Sequence, residues 1–186
     1  MKILNLVKSV FNFILSGAKE EYQIMLIRKA NPNIRVGKRF NCNNLSKFSA
    51  GEGSQFGDNI TINCGSSSWS DNTGYFKCGR NVYLGPNSVF FAAGGVEIHD
   101  DVLISPSVNL VSHQHKYIGV KPYRKEKSEF KKVKICRNAW IGTNVTILPG
   151  VTIGENSIVA ANALINKNVP KNVLVAGIPA QIIKAI

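Results

Sequence analysis

The sequence predicts an all-β fold, a parallel β-helix winding round three flat faces, and three observations predict it. In the stretch WIGTNVTILPGVTIGENSIVAANALI (Trp140 to Ile165), Ile141, Ile147, Ile153, Val159 and Ile165 recur every six residues. A helix repeats at about 3.6 and a single strand at about 2, so neither explains that period. Each aliphatic position closes a short triplet such as Ala139-Trp140-Ile141 or Val145-Thr146-Ile147. In each triplet two inward residues flank one outward residue, as extended chain requires. Between triplets stand Gly142-Thr143-Asn144, Gly154-Glu155-Asn156 and Asn166-Lys167-Asn168, residue types that tolerate positive φ and turn sharply.

Six residues therefore make one strand and one corner, and three such units close a coil of about 18 residues around a continuous aliphatic core. The pattern returns upstream at Ile98, Ile104 and Leu110, and in another frame at Cys78, Leu84 and Phe90. The shift of frame predicts a small insertion around Ala92-Ala93-Gly94-Gly95. Cys78 occupies an aliphatic position, which makes it a core residue.

The other elements follow from different patterns. Residues 1–33 form an N-terminal helical segment. Ile3, Leu6, Val7, Val10 and Ile14 lie on one face of a helix over 3–15, with Asn5, Lys8, Asn12 and Ser16 opposite. A second helix over 18–29 stops at Asn31-Pro32, because proline disfavours helix in the residue before it. The first helix either packs over an end of the core or lies on a membrane surface, helped by Lys2, Lys8 and Lys19. The β-helix spans 34–178 with an inserted loop at about 113–133, and residues 179–186 form a short helical tail.

The chain has 186 residues, 44% apolar and 18% charged, enough for one domain with a sizeable core. A net charge of +12 points to anionic partners. No CxxC pair occurs among Cys42, Cys64, Cys78 and Cys136, which excludes a zinc ribbon and implies reduced thiols in a cytosolic protein. From Met1 to Gly17 no apolar run is longer than three, too short for a membrane span of about 20 residues, and Lys8, Asn5 and Asn12 interrupt any signal-peptide core.

The run IGTNVTILPGVTIGENSIVAANALINKNVPKNVLVAGIPAQII resembles the hexapeptide-repeat acyltransferases, and the resemblance extends over residues 34–184. It implies a left-handed coil, acetyl-CoA as co-substrate and a homotrimer with active sites between subunits. The spacing of the residues does not give the hand.

The regular six breaks between Leu110 and Ile135, where VSHQHKYIGVKPYRKEKSEFKKVK intervenes. Such an insertion is where a solenoid carries function. It holds His113, His115 and a basic cluster of Lys116, Lys121, Arg124, Lys125, Lys127, Lys131, Lys132 and Lys134. Histidine, with an ordinary pKa of about 6.5, accepts a hydroxyl proton near neutral pH. His115 stands upstream of Trp140 at close to the family's interval and matches the family's general base. His113, two residues away, is on the same face of an extended segment and is the alternative base or an acceptor contact. A zinc site would need a third ligand, and nothing with metal spacing accompanies the pair. His99 sits in a repeat turn.

The resemblance also implies that outward Trp140 lies beside acceptor or coenzyme; a subunit-interface role is the alternative. It places the pantetheine arm along Gly142, Thr143, Ala160 and Ala161, with Asn166, Lys167 and Lys184 near the phosphorylated end and a backbone N–H near Gly142-Thr143 facing the oxyanion. Where galactoside and maltose acetyltransferases bind sugar through Asn and Asp, this chain has Gly85 and Ala93 and keeps only Asn87. The departure favours a larger or anionic acceptor, as in capsule and lipopolysaccharide O-acetyltransferases. The function expected is O-acetyl transfer from acetyl-CoA to a sugar or surface glycan, without an acyl-enzyme, in the cytoplasm or at the inner face of the membrane. The alternatives are acetylation of a small molecule such as an antibiotic or serine, a metal-dependent hydratase, and a non-catalytic scaffold. Nucleic acid is not expected, because the charge of +12 alone favours it and the basic loop offers little beyond Tyr117 and Tyr123 for stacking.

Overall fold

The computed structural model describes residues 17–65, 69–116 and 127–186. Strands of two or three residues succeed one another from Arg35, and every third one joins the same sheet. Arg35–Val36, Gln55–Phe56, Tyr83–Leu84, Leu103–Ile104, Trp140–Ile141, Ile158–Val159 and Val173–Gly177 stack in parallel in the first sheet. Asn41–Cys42, Thr61–Asn63, Val89–Phe91, Asn109–Val111, Thr146–Ile147 and Leu164–Ile165 form the second. Phe48–Ala50, Phe76–Cys78, Val96–Ile98, Val133–Ile135 and Thr152–Ile153 form the third. The chain thus coils round a three-sided prism, as the six-residue period requires.

Strands this short do not persist alone; stacking holds them. Cys42, Ile62, Phe90, Leu110, Ile147 and Ile165 sit above one another in register, as do Phe56, Leu84, Ile104, Ile141, Val159 and Val175. All twelve are buried. The first coils are filled by phenylalanines, with Phe76 and Phe90 edge to face at 5.3 Å and Phe48 stacked on Phe76 at 5.8 Å. Later coils are filled by isoleucine and valine. Coil length follows the corners: the coil from Tyr83 to its partner Leu103 is longer than the one from Trp140 to Ile158. The extra length lies at Ala92–Gly95, where the sequence changes frame.

Two corners are built from residues with left-handed backbone. Asn59, Asn87, Ser107, Asn144 and Asn162 turn the chain from the first sheet to the second, and Asn81, Asp101, Asn138, Asn156 and Asn172 from the third to the first, all with φ between +56° and +62°. Asn tolerates this conformation because its short polar side chain bonds locally. Here it also bonds to the next coil, as in Asn144 Nδ2 to Asn162 Oδ1 at 2.8 Å and Asn138 Nδ2 to Asn156 Oδ1 at 3.0 Å.

The helix at residues 17–30 matches the one expected over 18–29. It covers the first coil: Ile27 is buried, and the buried Gln23 side chain donates to Cys42 O at 2.7 Å and accepts from Cys42 N at 3.1 Å. The amphipathic helix expected over 3–15 lies outside the described residues. No described helix is long and apolar enough to cross a membrane.

The helical tail expected at 179–186 is incorrect. The chain turns at Gly177, with φ +105°, and Ala180–Ala185 returns as an antiparallel strand on Val173–Gly177. The exposed sheet edge offers backbone partners along the whole segment, and the β-branched pair Ile182-Ile183 favours extended chain over helix.

Candidate active site

After Asn109–Val111 the chain leaves the corner between the second and third sheets at Ser112 and returns at Lys131, whose N–H donates to Ser112 O at 2.8 Å. In between, His113–His115 and Ser128–Phe130 form an antiparallel ribbon, with His113 opposite Phe130, Gln114 opposite Glu129 and His115 opposite Ser128. The insertion therefore starts and ends as a pair of strands, an arm rooted on the coil. Gly94 fixes where it stands: a Cβ there would lie 2.1 Å from Ser112 O and 2.7 Å from Lys131 N, so only glycine lets the root of the arm rest on the coil. Buried Ser112 clamps the same point, its Oγ accepting from Gly94 N at 2.8 Å and donating to Phe91 O at 2.9 Å.

The two histidines of the ribbon live in different surroundings. His115 is exposed. His113 is half-buried among aromatic rings, 5.0 Å from Trp69, 6.1 Å from Phe91 and 6.2 Å from Phe130 between centroids. Its Nδ1 is enclosed without a hydrogen-bond partner. Burial, and secondarily the neighbouring His115, lower its pKa and so favour the neutral imidazole. Across the ribbon Glu129 accepts from Gln114 and pairs with Lys131, each at 3.1 Å; the Lys131 bond is the main cause of its lowered pKa. Trp69, Phe91 and Phe130 escaped sequence reasoning. Phe91 was the legible one, an aromatic at an outward position directly after the inward Phe90.

Trp140 projects outward as the triplet requires, 47% exposed, with its indole Nε1 donating to Ser105 Oγ at 3.2 Å. It stands on the first sheet, in one column with exposed Tyr83 and Leu103. The arm is rooted at the opposite edge of the prism, so within one chain Trp140 and the roots of the histidine strand lie on different sides. Asn87 is also on another corner, with φ +60° and its Oδ1 accepting from Asn59 Nδ2 at 2.7 Å.

Gly142, Thr143, Ala160 and Ala161 come together at successive levels of the corner between the first and second sheets. A Cβ on Gly142 would lie 2.6 Å from Ala161 N, so the glycine is required by coil stacking. Gly142 N–H donates to Val159 O at 2.8 Å and Ala160 N–H to Val175 O at 2.9 Å. Of the pair Gly142-Thr143 expected near the oxyanion, Gly142 has its backbone donor committed between coils. Asn166 and Lys167 line a groove of about 200 Å³ with Pro170, Val175, Gln181 and Ile182; Lys184 is exposed on the last strand. Another cavity, of about 420 Å³, lies between helix 17–30 and the first coils, lined by Leu26, Ile34, Leu45 and Phe48, and involves neither histidine. His99 lies in a turn beside Glu97, Asp100 and Arg137. Cys42, Cys64 and Cys78 are buried and Cys136 half-buried, all four as free thiols. Among the described residues no three His, Cys, Asp or Glu side chains cluster.

Residues 132–167 match the family model described as bacterial transferase hexapeptide, six repeats. The chain is 36% identical over 130 residues to galactoside O-acetyltransferase of Escherichia coli K12, a match covering 66% of this chain and 63% of that one. It is 30% identical over 170 residues to WbbJ of the same organism, whose lipopolysaccharide biosynthesis O-acetyl transfer is itself an inferred role; the match covers 87% and 84%. Matches to galactoside O-acetyltransferase and to two yeast proteins whose acetyltransferase role is itself inferred span 63%, 60% and 56% of those relatives' lengths. A hexapeptide-repeat acetyltransferase of Vibrio cholerae solved with acetyl coenzyme A superposes with a TM-score of 0.63 at 26% identity, covering 89% of this chain and 77% of that one. The N-acyltransferase AntD of Bacillus cereus shares the fold at 20% identity, with a TM-score of 0.71 over 83% and 81% of the two chains. By its three-sided coil, its interrupted hexads and these relatives, the chain belongs to the hexapeptide-repeat transferases.

Proposed function

We propose that this chain transfers an acetyl group from acetyl-CoA to a hydroxyl of a sugar or bacterial surface glycan, with His115 as general base. The observation that carries the reading is His115 itself, solvent-exposed on a ribbon whose root is clamped by Ser112, Lys131 and Gly94. Imidazole takes the proton of the acceptor hydroxyl as the oxygen attacks the thioester carbonyl. The carbon–sulfur bond breaks, and the departing sulfur of CoA receives that proton from the imidazolium. No acyl-enzyme is involved.

The same reading makes the coil left-handed and the protein a homotrimer. The exposed column of Tyr83, Leu103 and Trp140 is the kind of apolar stripe an interface covers. A second copy would also bring Trp140 toward an arm that its own chain holds on the far edge. Asn87 joins the acceptor site on the same condition. Thr143 and Ala161, with Gly142 and Ala160 behind them, line the path for the pantetheine arm, and Asn166, Lys167 and Lys184 face the phosphorylated end. The charge of +12 suits an anionic acceptor, met in the cytoplasm or at the inner membrane face. The homologues named for galactoside and lipopolysaccharide O-acetyl transfer support a glycan over an antibiotic or serine.

Thermal unfolding with and without millimolar CoA, on the wild type and His115→Ala, tests the coenzyme half of the reading. Both proteins should gain stability, by about 2.7 kcal/mol at a hundredfold excess over Kd. No shift in either would overturn it.

A further inference from the structure

We infer that Trp69, Phe91, His113 and Phe130 form the shelf on which a pyranose ring of the acceptor rests, with His113 donating from Nε2 to a ring or hydroxyl oxygen. The inference rests on the O-acetyl-transfer reading and names the part of the acceptor that the arm selects.

Three features carry it. The first is ring arrangement: His113 is the hub, with Trp69 tilted at 47°, Phe130 at 29° and Phe91 at 76° around it, while Trp69 and Phe130 stand 6.5 Å apart at 36°. A cluster serving the core would be hidden, yet Trp69 is 42% and Phe91 38% exposed. Large apolar faces left open beside a reactive group mark a ligand surface.

The second is the proton on His113. With Nδ1 enclosed and unpartnered, a hydrogen there would be a buried donor with nothing to meet, which is rarer and costlier than an unused lone pair. The proton therefore sits on Nε2. A neutral N–H among aromatic faces suits an alcohol or ether oxygen above a C–H surface. An isolated phosphate or carboxylate would call for a cation instead.

The third is spacing. His113 and His115 point to the same side of one strand, about 6.6 Å apart along it. A hexose on the shelf, held through one oxygen at His113, presents another hydroxyl at His115. An acyclic polyol offers the same hydroxyls without a preformed C–H face, so the shelf distinguishes ring from chain.

The test is steady-state acetyl transfer from acetyl-CoA to methyl β-D-galactopyranoside, methyl β-D-glucopyranoside and acyclic galactitol, with saturation-transfer NMR of the same compounds in the presence of CoA. In the wild type, ring C–H protons of a pyranoside should receive saturation and those of galactitol should not. Trp69→Ala should raise KM for the pyranoside about tenfold while KM for acetyl-CoA stays within about twofold; Trp69→Phe should restore most of the loss. Unchanged pyranoside KM in a folded Trp69→Ala protein would overturn the shelf, as would a loss falling on acetyl-CoA or equally on galactitol. So would the absence of pyranoside binding by the wild type up to about 50 mM. Pyranosides that bind through Trp69 without being acetylated would leave the shelf standing and defeat the transferase reading. Acetylation indifferent to Trp69 would do the reverse.

Discussion

From Val133 to Ile165 the chain follows its own repeat, whereas the corner between the second and third sheets departs from it repeatedly. In those coils pairing advances by one step, Trp140 to Ile158 and Thr146 to Leu164, which shortens only afterwards, from Ile158 to Leu174. At the other corner Ala92–Gly95 lengthens one coil, and the arm lengthens the next, so that Val96 finds its partner only at Val133. The core does not register the difference, since Ile98 and Ile135 remain stacked and buried. Stacked repeats secure stability by nearest-neighbour contact, so one corner is free to carry side chains chosen for chemistry. Stability and activity should therefore separate between the two regions.

The largest effect should come from the regular coils. Ile141→Ala removes a fully buried side chain stacked between Ile104 and Val159, and denaturant unfolding should report a loss of about 2–5 kcal/mol. Gly85→Ala sharpens the point about close approach. Its methyl would lie 2.3 Å from Ser105 C and 2.4 Å from Pro106 N, backbone that cannot swing away, so a loss of about 1–3 kcal/mol is expected by the same measurement. Asn144→Ala should cost about 1 kcal/mol, through a φ of +58° that alanine adopts poorly and a lost bond to Asn162.

On the arm the expected effects on stability are smaller and pH-dependent. Burial depresses the pKa of His113 in the folded state. Its contribution to stability is present above the unfolded value of about 6.5 and is lost as pH falls through the folded value, because the unfolded chain then binds the extra proton. Unfolding midpoints below about pH 6.5 should fall less steeply for His113→Phe than for the wild type. Smallest of all is the thiol contrast. Cys78 is pushed up to about 12 by burial and should resist iodoacetamide until unfolding, while half-buried Cys136 reacts slowly in the native protein, as peptide mapping would show.

What was legible in the sequence was whatever repeats. The column from Ile141 to Ile165, the change of frame at Ala92–Gly95 and the outward Trp140 all follow from period and turn chemistry, which are local. The C-terminal strand was not, because Ala180–Ala185 is extended only through the edge of Val173–Gly177, a partner that residue patterns do not reveal. The close approach that requires a glycine at Gly142 is likewise set by the next coil, which residue patterns do not reveal. The aromatic surroundings of His113 were hidden for the same reason: Trp69 and Phe130 come from segments far apart in sequence, and only the fold joins them.

The measurement that most directly tests the account is CoA release from acetyl-CoA, with a panel of capsule and lipopolysaccharide oligosaccharides as acceptors, for the wild type and His115→Ala. The account predicts a fall in kcat of about 10²–10⁴-fold with an unchanged unfolding midpoint. His115→Ala protein that turns over at the wild-type rate would contradict it.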